Sequence, residues 1–150
     1  NEIFEVLELD PNVVSAESRM LTWDMVREMA EWGVEFGSHS VNHSVLSNLN
    51  EQDMRQELRL SKKVIEHETG LPCRVLSYPV GGGGSFNKSV MQAAQDAGYE
   101  AACSYRSGVS HQNESRFALK RLHIDHTVQL DWFKALLANP ALLAANFNSD

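Results

Sequence analysis

Between residues 22 and 138 the chain switches repeatedly between helical and extended hydrophobic patterns, and this alternation restricts its fold more than any other feature. Thr22 reads as an N-cap, with Asp24 in the first turn where the helix dipole favours an acid. Trp23, Val26, Met29 and Ala30 then form a helical stripe that Gly33 stops. Val34–Phe36 reads as a short buried strand. Asn50 caps a second helix, with Asp53 at the third helical position, and the helix runs to about Thr69 before Gly70 and Pro72. Met54, Leu58, Ser61 and Ile65 form its inner row with Val64 beside it. Arg55, Glu57, Arg59, Lys62, Lys63 and Glu66 read as its solvated face. Cys73–Tyr78 is the next strand, and Asn87 caps a helix from Lys88 to Ala97 whose apolar positions are Val90, Met91 and Ala94. Tyr99–Tyr105 is a strand, 106–115 a polar loop, Phe117–Asp125 the last strand and Leu130–Ala138 an apolar helix. Asn139–Pro140 breaks that helix, and a short helical tail follows. Such an order implies a parallel sheet with helical crossovers. Near the start, Ile3–Leu9 fits a helix or a strand before Pro11 breaks it.

The remaining bulk properties narrow the class. A chain of 150 residues fits one domain, 1–150, which buries about 68–70% of its unfolded surface. The net charge of −7 argues against a nucleic-acid footprint, which needs a basic stripe, and against a polybasic membrane patch. No apolar run approaches the ~18 residues of a membrane span. Two cysteines, Cys73 and Cys103, are too few for a disulfide framework and are expected as free, buried thiols. No signal peptide is visible, and a chain that starts at Asn1 reads as a processed or truncated product.

His39 and His43 stand where the Val34–Phe36 run ends. If the segment turns helical after Gly37, the two share a face with Cβ atoms about 5–6 Å apart. Two neutral imidazoles so placed can close on one divalent metal ion. The alternative is a pair of ordinary surface histidines. Ser40 follows His39, so the glutamate base of the His-Glu-x-x-His zinc proteases is absent. Gly81–Gly84 matches neither the P-loop nor the dinucleotide fingerprint, and reads as a loop whose backbone can approach a ligand. His67 reads as a surface residue near a helix C-terminus, and His111 falls in the polar loop.

Four segments belong together: His39–His43, Leu46–Leu49, Leu76–Gly81 and Leu119–Leu122. With them, residues 21 to about 137 resemble the NodB-homology polysaccharide deacetylases, carbohydrate esterase family four. His39-Ser40-Val41-Asn42-His43 resembles that family's second motif, and Leu46-Ser47-Asn48-Leu49 its usual continuation. Leu76-Ser77-Tyr78-Pro79-Val80-Gly81 resembles the third motif of one large branch, and Leu119-Lys120-Arg121-Leu122 a later segment of the same branch. The resemblance implies an α/β fold, an incomplete distorted (β/α) barrel lacking its first strand or strands. It implies metal-dependent removal of N-acetyl or O-acetyl groups from a polysaccharide or amino-sugar oligomer. His39 and His43 would be metal ligands, most often to Zn2+. The Val80 N–H would help hold the oxyanion, and Tyr78, Pro79, Gly81 and Arg121 would contact substrate.

Several departures accompany the resemblance. The family's Asp-Asp motif, which supplies a general base and a third ligand, has no counterpart here. Truncation of a longer parent or natural loss of activity would each explain this. Ser77 stands where the third-motif arginine falls, and Val80 where an aromatic is usual. The late Leu-x-His that supplies the general acid has only loose matches, His126 in Ile124-Asp125-His126 and His123. A non-catalytic glycan-binding or assembly module of the same fold is therefore a second expectation, and a metal-independent cyclic amide hydrolase a third. By the same resemblance the substrate would be an envelope or extracellular polysaccharide, and an exposed sheet edge could pair copies of the chain.

Overall fold

A computed structural model describes residues 20–122, 124 and 127–139. The run at Ile3–Leu9, His123, Asp125, His126 and the expected tail after Pro140 lie outside the described residues. The elements are α1 (Trp23–Glu31), a 3-10 turn (Leu46–Asn48), α2 (Glu51–Thr69), β1 (Val75–Ser77), α3 (Lys88–Asp96), β2 (Ala101–Ser107), β3 (Leu119–Arg121) and α4 (Leu130–Ala138).

Local side chains start the helices. Thr22 Oγ1 accepts from Met25 N–H at 3.3 Å, Asn50 Oδ1 from Asp53 N–H at 2.9 Å, and Asn87 Oδ1 from Val90 N–H at 3.0 Å. Each satisfies one of the first-turn donors that a helix leaves open. Gly70, at φ +68°, closes α2 in the left-handed conformation that glycine adopts without steric cost.

The sheet is parallel in the order β1-β2-β3, with Leu76 opposite Ala102 and Cys103 opposite Leu119. A fourth segment joins the outer edge of β1 through a parallel bridge between Ser38 and Leu76. Strands are therefore neighbours in the order in which they occur, the arrangement of a barrel rather than of a doubly wound sheet. Their C-terminal ends fall on one side and bring together the segments that follow Ser38, Ser77, Ser107 and Arg121.

One face of this sheet makes the core. Leu76 and Ala102 pack with Met54 and Leu58 of α2, Val90, Ala93 and Ala94 of α3, and Leu46, Cys73, Tyr78, Phe86, Tyr99 and Phe117. Leu46, Leu58, Leu76 and Val90 are fully buried. Burying such a side chain stabilises by roughly 1.5–3 kcal/mol. The opposite face, bearing Val75, Ser77, Cys103 and Tyr105, stays partly open among the described residues.

Three expectations need correction. Val34–Phe36 is not a buried strand: Val34 is 38% exposed, and only Ser38 bridges to β1. No described strand pairs with the far side of that segment, and its described pairing is the single bridge to β1. The other strands are shorter or shifted. β2 starts at Ala101 because Tyr99 is drawn into the core, where its hydroxyl donates to Leu58 O at 2.9 Å. Cys73 is buried and Cys103 half-buried, both as free thiols, and Cys73 lies before β1 rather than within it.

Candidate metal and oxyanion site

The segment from Gly37 to His43 does not become a helix. Gly37 passes so close to β1 that an added Cβ would stand 3.0 Å from Val75 O. Ser38 N–H donates to Val75 O at 2.9 Å, and Ser38 O accepts from Ser77 N–H at 2.8 Å. The chain then turns sharply, with positive φ at Ser40 (65°) and His43 (55°). Non-glycine residues seldom adopt such angles. Thus a tight turn, rather than one helix face, brings the two imidazoles together. Their centroids are 4.9 Å apart and their planes meet at 76°.

The first histidine has a fixed proton. His39 Nδ1 lies 2.7 Å from Ser77 O. A carbonyl only accepts, so Nδ1 of the neutral ring carries the hydrogen and Nε2 keeps its lone pair. Metal-binding histidines are commonly held through their other nitrogen in this way. Among the described residues His39 Nε2 has no hydrogen-bond partner, nor does either His43 ring nitrogen. Two exposed imidazoles, one with its tautomer set, suit a divalent ion. No third His, Cys, Asp or Glu completes a metal-binding group with them among the described residues.

The turn is tied to α2 from beneath. Ser38 Oγ and Ser61 Oγ are 2.8 Å apart in the core, and Ser61 Oγ also meets Tyr99 Oη at 3.3 Å. Glu57 departs from the pattern expected of a charged helix residue. Its place among the charged residues of α2 predicts a solvated side chain, yet it is only 8% exposed. Its carboxylate accepts from Val41 N–H and Asn42 N–H, both at 2.9 Å, and from the Asn42 side-chain amide. Burial pushes the Glu57 carboxyl up, yet the donors of Asn42, Val41 and Ser40 outweigh it and hold the group below its ordinary value. The signal was present in the spacing. Glu57 lies three residues after Met54 and four before Ser61, an inward position of the same row.

After β1 comes a second tight turn. Gly81 N–H donates to Pro79 O at 2.6 Å, making a γ-turn whose centre, Val80, has φ +63°. A β-branched residue at this angle is strained, and strain of this kind tends to collect at functional sites. Val80 is 54% exposed, and its N–H has no acceptor among the described residues. Gly81 follows at φ +58°, where a Cβ would stand 2.7 Å from Tyr105 N.

Tyr78 and Pro79 were expected to shape the substrate groove, but both are fully buried. The Tyr78 ring stacks on Phe86 at 4.6 Å, and its hydroxyl donates to Phe117 O at 2.9 Å. Burial pushes the phenol far above its ordinary value, so it stays a donor. These two residues support the Val80 turn from below rather than reach the surface. Arg121 shares a partner with the first histidine. Its Nε donates to Ser104 O at 2.7 Å and its Nη1 to Ser77 Oγ at 3.3 Å, and the guanidinium lies over the Tyr105 ring. Ser77 therefore links both groups, His39 through its carbonyl and Arg121 through its hydroxyl. Beside them is a depression of about 200 Å³ lined by Tyr105, Ser107, Arg121, Leu122 and Ile124.

The sequence profile of the polysaccharide deacetylase family matches residues 9–102, more than half of the chain. The chain belongs to the polysaccharide deacetylase family. YxkH of Bacillus subtilis (strain 168), whose name places it among polysaccharide deacetylases, is 29% identical over 104 residues, covering 69% of this chain and 36% of its own length. The deacetylase PplD of Streptococcus pyogenes, solved in complex with acetate, superposes with a TM-score of 0.72 at 21% identity over 80% of this chain and 52% of its own. BC0361, a polysaccharide deacetylase from Bacillus cereus, gives 0.69 at 24% identity over 79% and 37%. These likenesses identify the fold as the distorted (β/α) barrel of the family. This deacetylase-family chain spans about a third of the curated relative's length and about half or less of these two structures.

Proposed function

We propose that this chain supplies the metal-holding histidines and the oxyanion donor of a carbohydrate deacetylase, the active parent being a longer protein. The observation that carries the reading is the His39–His43 pair, with Nε2 of His39 left available by the Ser77 carbonyl. A divalent ion, most simply Zn2+, would supply Lewis acidity that polarises an acetyl carbonyl. His39 and His43 would hold that ion from one side of the cleft. The Val80 N–H would donate to the oxygen as it gains charge, from a turn already strained into place. Arg121, braced on Ser104 O and Ser77 Oγ, has further N–H donors for sugar hydroxyl or acyl oxygens. His126 or His123 would protonate the departing amine of an N-acetyl substrate or the departing alcohol of an O-acetyl one. Gly81 lets the turn close against Tyr105, while Tyr78 and Pro79 hold it from within.

The substrate is an N-acetylated or O-acetylated polysaccharide or amino-sugar oligomer of the envelope or outside the cell. The structure of PplD with acetate supports the reading, since acetate is the product such a reaction releases. The test is acetate release from acetylated amino-sugar oligomers by the complete parent, after chelation and after return of single metals. Release that needs the metal and fails in His39→Ala supports the reading. Absence of release in every metal form removes it and leaves a glycan-binding module of the same fold. Release that survives chelation points instead to metal-independent amide hydrolysis.

A further inference from the structure

Glu57 lies on α2, one helical turn before Ser61, and all of its described donors come from the turn between the two histidines. One carboxylate oxygen takes the main-chain N–H groups of Val41 and Asn42 at 2.9 Å each, and the other takes the Asn42 amide. The turn holds two left-handed, non-glycine residues, Ser40 and His43, so its conformation needs support from outside. Within the turn itself, His43 N–H donates to Ser40 Oγ at 3.1 Å and Ser40 N–H to Ser38 Oγ at 3.3 Å. These are neutral bonds, whereas bonds to a carboxylate are roughly twice as strong. A surface turn would find such donors satisfied by water. Here a helix commits a buried charge to them.

We propose that Glu57 is a positioning residue whose carboxylate clamps the Ser40–Asn42 turn and so sets the spacing of the His39 and His43 imidazoles for a shared divalent ion. The inference rests on the metal reading of the histidine pair, and it adds a residue that touches neither ion nor substrate. Ser61 serves as the comparison. It also anchors this segment, but it holds Ser38, before the first histidine, and not the span between the two.

The test uses the complete parent protein and zinc alone. Glu57→Gln keeps the side-chain shape and one acceptor oxygen for the Val41 and Asn42 N–H groups, but it removes the charge that strengthens those bonds and replaces the oxygen facing the Asn42 amide with a donor. The expected result is a loss of zinc affinity of about 10-fold by calorimetry, with amide resonances unmoved beyond 38–44 and the neighbours of residue 57. Amide exchange at Val41 and Asn42 should rise, and the ring-to-ring nuclear Overhauser contact between His39 and His43 should disappear. Ser61→Ala should change zinc affinity by less than about twofold, well short of the loss from removing a metal-site support. Unchanged affinity and unchanged exchange in Glu57→Gln would overturn the proposal. If Glu57→Gln does not fold, Asn42→Ala removes one arm of the clamp from an exposed residue. A measurable drop in zinc affinity then supports the proposal and an unchanged affinity overturns it. Should the unaltered protein take up no zinc, the metal reading fails separately. The ring-to-ring contact still decides the clamp, which falls if the contact persists in Glu57→Gln and stands if it is lost.

Discussion

His39 Nδ1 lies 2.7 Å from the main-chain oxygen of Ser77, so the end of a strand decides which nitrogen of that imidazole carries the proton. The neutral ring should show Nδ1 protonated and Nε2 as the pyridine-type nitrogen in 15N NMR of the metal-free protein. Zinc should then perturb Nε2 and leave Nδ1–H in place. Loss of the ring in His39→Ala or His43→Ala should weaken zinc binding by at least about 10-fold, since even indirect partners of a metal site cost that much.

Gly81 and Gly82 are adjacent yet should respond differently to alanine. At Gly81 the new Cβ meets Tyr105 N at 2.7 Å and Tyr105 Cβ at 2.9 Å, with φ already +58°. Gly81→Ala should destabilise by about 2 kcal/mol or more, as backbone changes at special angles do. At Gly82 nothing lies within 4 Å, and Gly82→Ala should stay within about 0.5 kcal/mol. Chemical denaturation of both variants checks the contrast.

Tyr78→Phe separates support from contact. Removing the hydroxyl deprives the Phe117 carbonyl of its Tyr78 donor in the core. A loss of about 1–3 kcal/mol is expected. Because Tyr78 is 1% exposed, the affinity of the folded variant for zinc and for oligosaccharide should match that of the parent. A selective loss of oligosaccharide binding at unchanged stability would contradict this placement.

Glu66 gives the pH dependence. The Lys62 ammonium beside it lowers its pKa from an ordinary 4.5, burial opposes the shift, and the Cys73 N–H adds to the lowering. A depressed folded value means that the stabilisation is complete above the unfolded pKa and fades as pH falls through the folded one. Acid titration should therefore show a stability loss beginning below about pH 4.5. Glu66→Gln should flatten that part of the curve. Because the same Lys62 also donates to Cys73 O at 2.5 Å, the loss should appear as loosening between the end of α2 and the approach to β1.

The parts of the fold legible in the sequence were those built from neighbours in the chain. Thr22, Asn50 and Asn87 cap helices through side chains that reach three residues ahead, and the helix limits follow closely. Strand limits depend on partners far along the chain. That is why Val34–Phe36 reduced to a bridge and why β2 moved past Tyr99. The histidine pair was legible as a motif, but its geometry was not, because positive φ at Ser40 and His43 leaves no hydrophobic period. Glu57 stayed hidden among charges because its donors lie 15 and 16 residues away. Tyr78 was read by its motif rather than its surroundings, and burial placed it in the core.

The acceptor that sets His39 is a peptide carbonyl, and no codon specifies it. A different side chain at residue 77 leaves the same main-chain acceptor in place for His39 Nδ1. A change that displaces β1, through Leu76 or the bridge at Ser38, would reach that bond, as would one that shifts the turn carrying the ring. The tautomer of the first histidine is thus tied to the path of the sheet rather than to the side chain that residue 77 carries.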